Sequence, residues 1–496
     1  MNTAIHITGE SRTEFSNQVQ YCIGTGRMDL ALMQEYQQEL KEVQALCGFR
    51  HIRGHGLFCR QMGIYQQVKD PDGAIHISYN FTYLDRVMDM YLANGLEPFI
   101  ELGFMPEDMA GGTQTVFWWQ GNVTPPKEDR LWTDMVQATL RHLMDRYGAE
   151  RAVTWPVEVW NEPNLTNFWE NRDKEKYLHL YDITARAVKA VSPSFRVGGP
   201  AICGGGDSLE WVRDFLAFCR DNRLPVDFLT RHAYMGNTPE HRGRYLYHTM
   251  CTAQEAMQPL RDTRAIIDSF PEYAGMEMHV TEFNTSYNPL CPIHDTNANA
   301  AIIAHWLSLL GETSASYSYW TFGDVFEEGG VPAAPFHGGF GLMAGGCIPK
   351  PTLWSFAFFS RLKGEGVYRD DHAVITREAD GSLAGVLWND GEEDLAVSLR
   401  ADDITAGVLE TSTVDPETTN PLKCWHQMGE PASLTAGQLA FLRDAGRPLN
   451  RTCRVAEGQA AEIAVRRNGV VFFRLRNQPI NPDYGYDYSW YADRLG

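Results

Sequence analysis

Trp155-Pro-Val-Glu-Val-Trp-Asn-Glu-Pro-Asn164 reads as a short strand that stops on polar side chains. Pro163 fixes its own φ and donates no amide hydrogen, so the strand halts at Asn161-Glu162 and points the glutamate away from the sheet. A second run of this kind, Met278-His-Val-Thr-Glu-Phe-Asn-Thr-Ser286, ends on Glu282. Working outward, strand candidates fall at 20–23, 49–54, 97–101, 156–161, 196–199, 226–232, 277–282 and 316–322. Amphipathic segments such as 28–46, 83–94, 132–147 and 174–191 lie between them. In the last, Tyr177, Leu180, Tyr181, Thr184, Ala187, Val188 and Val191 recur at helical spacing. Gly95 and Gly148 follow two of these segments, where helices stop.

Eight β-then-α units predict an α/β fold, a (β/α)₈ TIM barrel, over 14–362. An open doubly wound sheet has the same alternation. The barrel is favoured because no G-x-G-x-x-G opens the first unit and polar residues cluster at many strand ends. Gly204-Gly-Gly206 precedes no lysine and reads as a loop, not a phosphate cradle. Beyond Leu362 short alternating runs appear at 373–376, 383–388, 395–399 and 469–476. Asp380-Gly381, Asn389-Asp390-Gly391 and Asn468-Gly469 mark turns between them. They predict a C-terminal antiparallel β-sandwich over 363–496, to which residues 1–13 offer a further strand. The tail 477–496 is rich in tyrosine and tryptophan, and is a candidate contact in a homo-oligomer.

The bulk composition mainly excludes. A net charge of -20, from 43 basic and 63 acidic residues, argues against nucleic acid and anionic membranes as partners. The N-terminus Met1-Asn-Thr-Ala-Ile-His-Ile reads as no signal peptide, and no apolar run reaches the ~18 residues of a membrane span. The 10 cysteines are scattered and form no C-x-x-C pair. They read as free thiols, mostly buried, in a reducing cytoplasm. No metal or cofactor site is expected.

Barrel active sites lie at the C-terminal strand ends. Those ends carry Arg53-Gly-His55, Asn161-Glu162, His232-Ala-Tyr234, Glu282 with Asn284 and Tyr287, and Trp320-Thr-Phe322 followed by Asp324 and Glu327-Glu328. Carboxylates, amides, imidazoles and aromatic rings together suit a pyranose, which offers hydroxyl edges and C–H faces. Breaking a glycosidic bond needs one carboxyl group to give a proton and another to attack. Glu162 is expected as the acid, its pKa raised by the neighbouring charge. Glu282 is expected as the nucleophile, held by Tyr287 or a strand-eight residue. Asn161 is expected to bond the sugar 2-hydroxyl, and Glu158, four residues before Glu162, reads as a structural barrel residue. His55 and His232 read as sugar ligands; no H-x-x-x-H or H-E-x-x-H spacing makes them metal ligands.

These residues and their flanks resemble glycoside hydrolase family 39, and within it the bacterial β-xylosidases. The matching segments are Ile52-Arg-Gly-His-Gly-Leu57, Phe99-Ile-Glu-Leu-Gly-Phe-Met-Pro106, Gly112-Thr-Gln-Thr-Val-Phe117 and Gly121-Asn-Val-Thr-Pro-Pro-Lys127. They continue through Trp160-Asn-Glu-Pro-Asn-Leu165, Val197-Gly-Gly-Pro-Ala-Ile-Cys-Gly-Gly205, His279-Val-Thr-Glu-Phe-Asn-Thr-Ser-Tyr287, Tyr319-Trp-Thr-Phe-Gly-Asp-Val-Phe-Glu327 and Phe336-His-Gly-Gly-Phe-Gly-Leu342. The resemblance implies a retaining mechanism, with Glu162 as acid/base and Glu282 as nucleophile. It also implies exo-action that releases xylose from the non-reducing end of β-1,4-xylo-oligosaccharides. His55, Asn161, His232, Tyr287, Trp320 and Glu327 match the family's sugar-lining positions, and Phe117 and Phe168 would add apolar walls. Tyr234 and Asp324 stand where a uronic acid would want a cation, which favours a neutral pentose. Cys59-Arg60-Gln61 departs from an expected acidic stretch at the mouth. The competing readings are another glycoside (α-L-arabinoside, iduronide or β-glucoside), transglycosylation, or a sugar-binding barrel without turnover.

Overall fold

The computed structural model describes residues 2–479 together with Gly485, Asp487, Trp490, Tyr491 and Arg494. The aromatic tail read above lies largely outside the described residues. Eight parallel strands close into a barrel. In chain order they are Cys22–Arg27, His51–His55, Glu97–Leu102, Val157–Val159, Val197–Ile202, Phe228–Tyr234, Met278–Asn284 and Ser316–Tyr319. They are called barrel strands one to eight. All fall on the expected runs, shifted by a few residues at their ends.

The helices between them bury one stripe each against the barrel. Lys174–Val191 starts on Asp173, whose side chain accepts from the Lys176 amide, as an N-cap should. The helix expected over 28–46 is broken: a 3-10 turn, Met28–Leu32, gives way at Met33, extended at φ -78 and ψ 138, to an α-helix Gln34–Cys47. Two helices behave differently. Asn297–Leu310 and Pro351–Phe359 are apolar on nearly every side and buried throughout or almost so. Such helices need cover on both faces, and the C-terminal unit supplies it. Phe358 packs 5.8 Å from Phe472, and His305 Nδ1 lies 2.8 Å from Asp390.

That unit is built from two sheets. Six antiparallel strands, Glu365–Arg369, Ala373–Arg377, Leu383–Asn389, Gly407–Val414, Leu449–Val455 and Gly469–Asn477, make one. Leu395–Ala401 and Ala461–Val465 make the other together with the N-terminal strand Asn2–Ile7, which pairs parallel to Leu395–Ala401. The sandwich is therefore not wholly antiparallel. Between the strands Gly407–Val414 and Leu449–Val455 it carries two helices, Pro421–Gln427 and Ala436–Ala445, which pack Trp425 and Leu442 onto Phe336 and Ile348 of the barrel's last loop.

Inside the barrel, Cys22, Phe99 and Phe228 fill the N-terminal end. Above them lies a charged layer, and above that the open mouth. Strand one is kept thin for this: a Cβ on Gly24 would lie 2.7 Å from the Trp320 ring. Ile7 is fully buried in the sandwich core, which is separate from the barrel core. Ile7→Ala should cost about 2–5 kcal/mol, read as an earlier urea midpoint of the sandwich transition. An unchanged midpoint would mean that the N-terminal strand adds nothing to that core.

Candidate active site

Strand four stops at Val159, and the next residues turn sharply. Trp160 and Glu162 both take left-handed backbone conformations, at φ 72 and φ 45. A non-glycine residue there costs roughly 1–3 kcal/mol and persists only where its surroundings hold it. The Trp160 amide donates to Leu102 O at 3.2 Å, the Glu162 amide to Ala201 O at 2.9 Å, and the Trp160 indole to Phe168 O at 2.7 Å. The kink is thus clamped by strands three and five and by its own loop, and it delivers Glu162 to the barrel axis.

Glu282 arrives from strand seven, 4% exposed. One oxygen of Glu162, one of Glu282 and a ring nitrogen of His232 all lie within 4.8 Å of one another. His232 Nδ1 lies 2.7 Å from Glu162 Oε1 and 3.4 Å from Glu282 Oε2. Burial, then the Arg53 charge, pulls the His232 pKa well below its ordinary value, so a neutral imidazole separates the two acids. Glu282 takes two further hydrogen bonds: Tyr234 donates to Oε2 at 2.6 Å and Arg53 Nη1 to Oε1 at 2.5 Å. Among the described residues, Glu162 receives no such cationic donor. Burial, and after it the Glu282 charge, holds its carboxyl well above the usual carboxylate range. The expectation named only the neighbouring charge; burial is the larger cause.

Arg53 organises this layer. Its guanidinium is fully buried and reaches Glu158 at 2.7 Å, Glu101 at 2.9 Å, Glu282 at 2.5 Å and the Asn161 Oδ1 at 2.8 Å. Thr281 also donates to Glu158, which is fully buried beneath the pair. Asn161 presents its amide nitrogen, which meets no acceptor among the described residues. His55 Nδ1 lies 2.7 Å from Glu101 Oε2, and its Nε2 turns toward Glu282, 3.5 Å away. Burial pushes the Glu101 carboxyl up, but the His55 and Arg53 charges outweigh it and the net shift is downward.

The aromatic residues form the walls. Trp320 packs 4.6 Å from His55, Phe117 lies 6.0 Å from His55, and Phe168 meets Phe117 edge-on at 5.3 Å. Phe117 and Gln120 are left-handed, at φ 65 and φ 57, in a hairpin tip whose Trp118 amide donates to Glu328 O at 2.9 Å. The strand-three loop therefore spans to the strand-eight loop and closes one side of the cleft.

Three placements differ from expectation. Tyr287 does not hold Glu282; it stands 48% exposed beyond the strand, edge-on to Tyr234. Glu327 pairs with Arg27 at 2.5 Å, and the carboxyl that faces the catalytic layer is its neighbour Glu328, 3.7 Å from His55 Nε2. Burial, then Glu282, Glu162 and Glu101, pushes Glu328 well above the usual range. Asp324 is not at the sugar site: it and Asp295 clasp the buried Lys350 ammonium at 2.5 and 2.6 Å. At the mouth, Arg60 is exposed and pairs with Glu107 at 3.1 Å. The sequence reading set Arg53 and Glu328 at the strand ends without giving them a role, and did not single out Glu101. Period-two alternation was the available signal, since Arg53 shares a strand face with His55.

A profile for the glycosyl hydrolases family 39 matches residues 4–461. The chain belongs to that family. It is a glycoside hydrolase. It is 47% identical over 440 residues to a β-xylosidase of Geobacillus stearothermophilus, covering 86% of each chain. The crystal structure of a monomeric β-xylosidase from Caulobacter crescentus superposes with a TM-score of 0.86 at 33% identity, over 96% of this chain and 100% of that one. Human α-L-iduronidase is 34% identical over 166 residues, which is 32% of this chain and 21% of that one.

The two largest causes of the raised Glu162 pKa, burial and the Glu282 charge, can be separated by mutation. In Glu282→Gln the neighbouring charge is gone and burial remains. The Glu162 carboxyl, followed by ¹³C NMR, should then titrate lower than in the parent while staying above the ordinary ~4.3. An unmoved titration would mean that the two groups are not coupled.

Proposed function

We propose that this glycoside hydrolase is a retaining, exo-acting β-xylosidase that frees xylose from the non-reducing end of β-1,4-xylo-oligosaccharides. The observation that carries the mechanism is the close approach of Glu162 and Glu282, with carboxyl oxygens within 4.8 Å, in unlike surroundings. Retaining enzymes need their two carboxyl groups ~5–5.5 Å apart, whereas inverting ones leave ~6.5–9.5 Å for a water. The β-xylosidases of Geobacillus and Caulobacter support the choice of sugar.

In the first step a Glu282 oxygen attacks the anomeric carbon. The bond to the leaving oxygen breaks, and the Glu162 proton passes to that oxygen. Arg53 and Tyr234 orient the attacking carboxylate. In the second step Glu162, now ionised, takes a proton from a water. The water oxygen attacks the same carbon and Glu282 departs. Two inversions retain the β-configuration. Asn161, oriented by Arg53, offers its amide to the 2-hydroxyl. His55 and Glu328 present polar edges to other hydroxyls, and Phe117, Phe168 and Trp320 meet the C–H faces.

Charge supports a neutral sugar. Glu101, Glu158 and Glu282 pair with Arg53, which also holds Asn161 and so is already committed to four partners, and Glu162 and Glu328 add two more carboxyl groups to the same cluster. Arg27 is likewise occupied by Glu327. A uronic carboxylate would meet repulsion rather than a free cation. The bridge between the strand-three and strand-eight loops supports exo-action, since it blocks one direction along a polymer. All 10 cysteines are free thiols, and no helix among the described residues is long and apolar enough to cross a membrane. Free thiols suit a reducing cytoplasm, where imported short oligosaccharides would be trimmed.

An assay over aryl β-xylosides, β-glucosides, α-arabinosides and iduronides tests this reading. The parent should favour the xyloside. Glu282→Ala should lose turnover and, with azide, form α-xylosyl azide in the vacated space. Glu162→Ala should lose about 10²–10⁴-fold on poor leaving groups and form β-xylosyl azide. Hydrolysis of iduronides alone would overturn the substrate, and normal turnover by Glu282→Ala would overturn the nucleophile.

A further inference from the structure

Trp320 and Glu328 both belong to the loop that follows strand eight, and the helix Gln34–Cys47 grips that loop from behind. Tyr36 meets the Phe322 ring edge-on at 4.7 Å, and the Gly346 amide donates to Glu35 Oε1 at 2.7 Å. Glu39 lies one turn after Glu35, on the same face of the helix. It is fully buried, and neither of its oxygens makes a hydrogen bond of normal geometry among the described residues. Its carboxyl packs instead against the backbone of Gly323. A Cβ on Gly323 would collide with Glu39 Oε2 and stand 3.6 Å from the Glu39 Cβ. Two glutamates four residues apart repel each other on a helix when both are charged. Helix formation therefore does not explain Glu39.

The surroundings keep Glu39 uncharged. Asp324, next to Gly323, already shares the buried Lys350 ammonium with Asp295. An ionised Glu39 would bring a third carboxylate to a single cation, away from water. Burial, then the Asp324 and Glu35 charges, hold its carboxyl well above the usual range; the Val325 amide and Lys350 act the other way and are outweighed. The Cys347 thiol also faces it, pushed up to about 12 by burial and next by Glu39. From Gly323 the contact reaches the sugar site in two directions. Three residues back stands Trp320, 4.6 Å from His55. Three residues on, Phe326 meets Trp320 edge-on at 6.0 Å, and a Cβ on Gly26 would lie 2.8 Å from the Phe326 ring. Strand one thus leaves the loop no room on that side. Beyond it Glu327 is held by Arg27, and Glu328 lies 3.7 Å from His55 Nε2.

We propose that Glu39 is a positioning residue for the sugar site: its carboxyl, wedged against Gly323, sets the height of the strand-eight loop and thereby where Trp320 and Glu328 stand. It touches no substrate and moves no proton. An amide of the same shape would serve equally well. A shorter side chain would let Gly323 sink toward the helix and carry both sugar contacts with it. A bulkier residue at 323 would push the loop the other way.

This inference rests on Trp320 and Glu328 being sugar contacts. Losses are taken relative to the parent, on the glycoside that the parent turns over best, so a wrong sugar would fail the panel of glycosides and leave this test standing. Glu39→Ala should lower kcat/KM about 10–100-fold, the scale of a ~1 Å misplacement made away from the chemistry. Glu39→Gln should stay within about threefold of the parent. Gly323→Ala forces a methyl group against Oε2 and should lose activity on the scale of Glu39→Ala. Combining Gly323→Ala with Glu39→Ala gives that methyl group room, and should recover most of the loss. Two merely structural defects would add instead. The double variant refills part of the vacated space, so it keeps the comparison open where Glu39→Ala alone does not fold. A parent-like Glu39→Ala, a Glu39→Gln as impaired as Glu39→Ala, or a double variant no better than Gly323→Ala would each overturn it.

Discussion

One buried guanidinium, that of Arg53, ties together strand two, strand three, strand four and strand seven. Its partners, Glu101, Glu158, Asn161 and Glu282, come from sites 48 to 229 residues away along the chain. A charge taken out of water this completely costs several kcal/mol unless its partners neutralise it. Here the cost is offset by carboxylates that would themselves be untenable without the cation. Removing either side leaves buried charge unpaired, typically ~3–5 kcal/mol. The same contacts that make the layer tolerable also aim Glu282 and Asn161 into the mouth.

From that layer the division of labour between the two acids follows. Glu282 sits on the guanidinium and the Tyr234 hydroxyl, so it is positioned as an acceptor and attacker. Glu162 is turned away from Arg53 by its left-handed backbone and meets a neutral imidazole instead. Burial and a nearby negative charge then favour its protonated form. The clamp on the strand-eight side is equally physical. Lys350 binds Asp295 from the strand-seven loop and Asp324 from the strand-eight loop, and Asp295 and Asp324 accept the Gly338 and Gly341 amides at 2.7 Å. The helical pair of the sandwich braces the same loop through Trp425 and Leu442. The accessory unit thereby supports the loop that presents Glu328.

Much of this was legible in the chain. Strand positions follow from local alternation and breakers, and the two glutamates stand beside signals, such as Pro163, that act within a few residues. What was missed depends on long-range partners. Arg53 was readable as a strand-end residue, and its shared face with His55 pointed it inward, but nothing local named four partners on three other strands. Glu327 and Glu328 are adjacent and chemically identical; only Arg27, three hundred residues earlier, decides which one faces the site. Asp324 looked like a mouth residue until Lys350 claimed it. Tyr287 lies three residues beyond Asn284, where the strand and its alternation end. The sandwich strands Gly407–Val414 and Leu449–Val455 escaped because their exposed faces carry mixed polar and apolar residues, whereas the strand offered by residues 1–13 was read, and only its parallel partner, almost four hundred residues away, was not.

The central claim is that Glu282 attacks the sugar directly and Glu162 serves first as acid and then as base. The anomeric form of the first product reports this without any mutation. Hydrolysis of an aryl β-xyloside followed by ¹H NMR in D₂O should show β-xylose appearing first, with the α-anomer growing in later by mutarotation. Initial release of α-xylose would mean a single inversion, and would contradict the account.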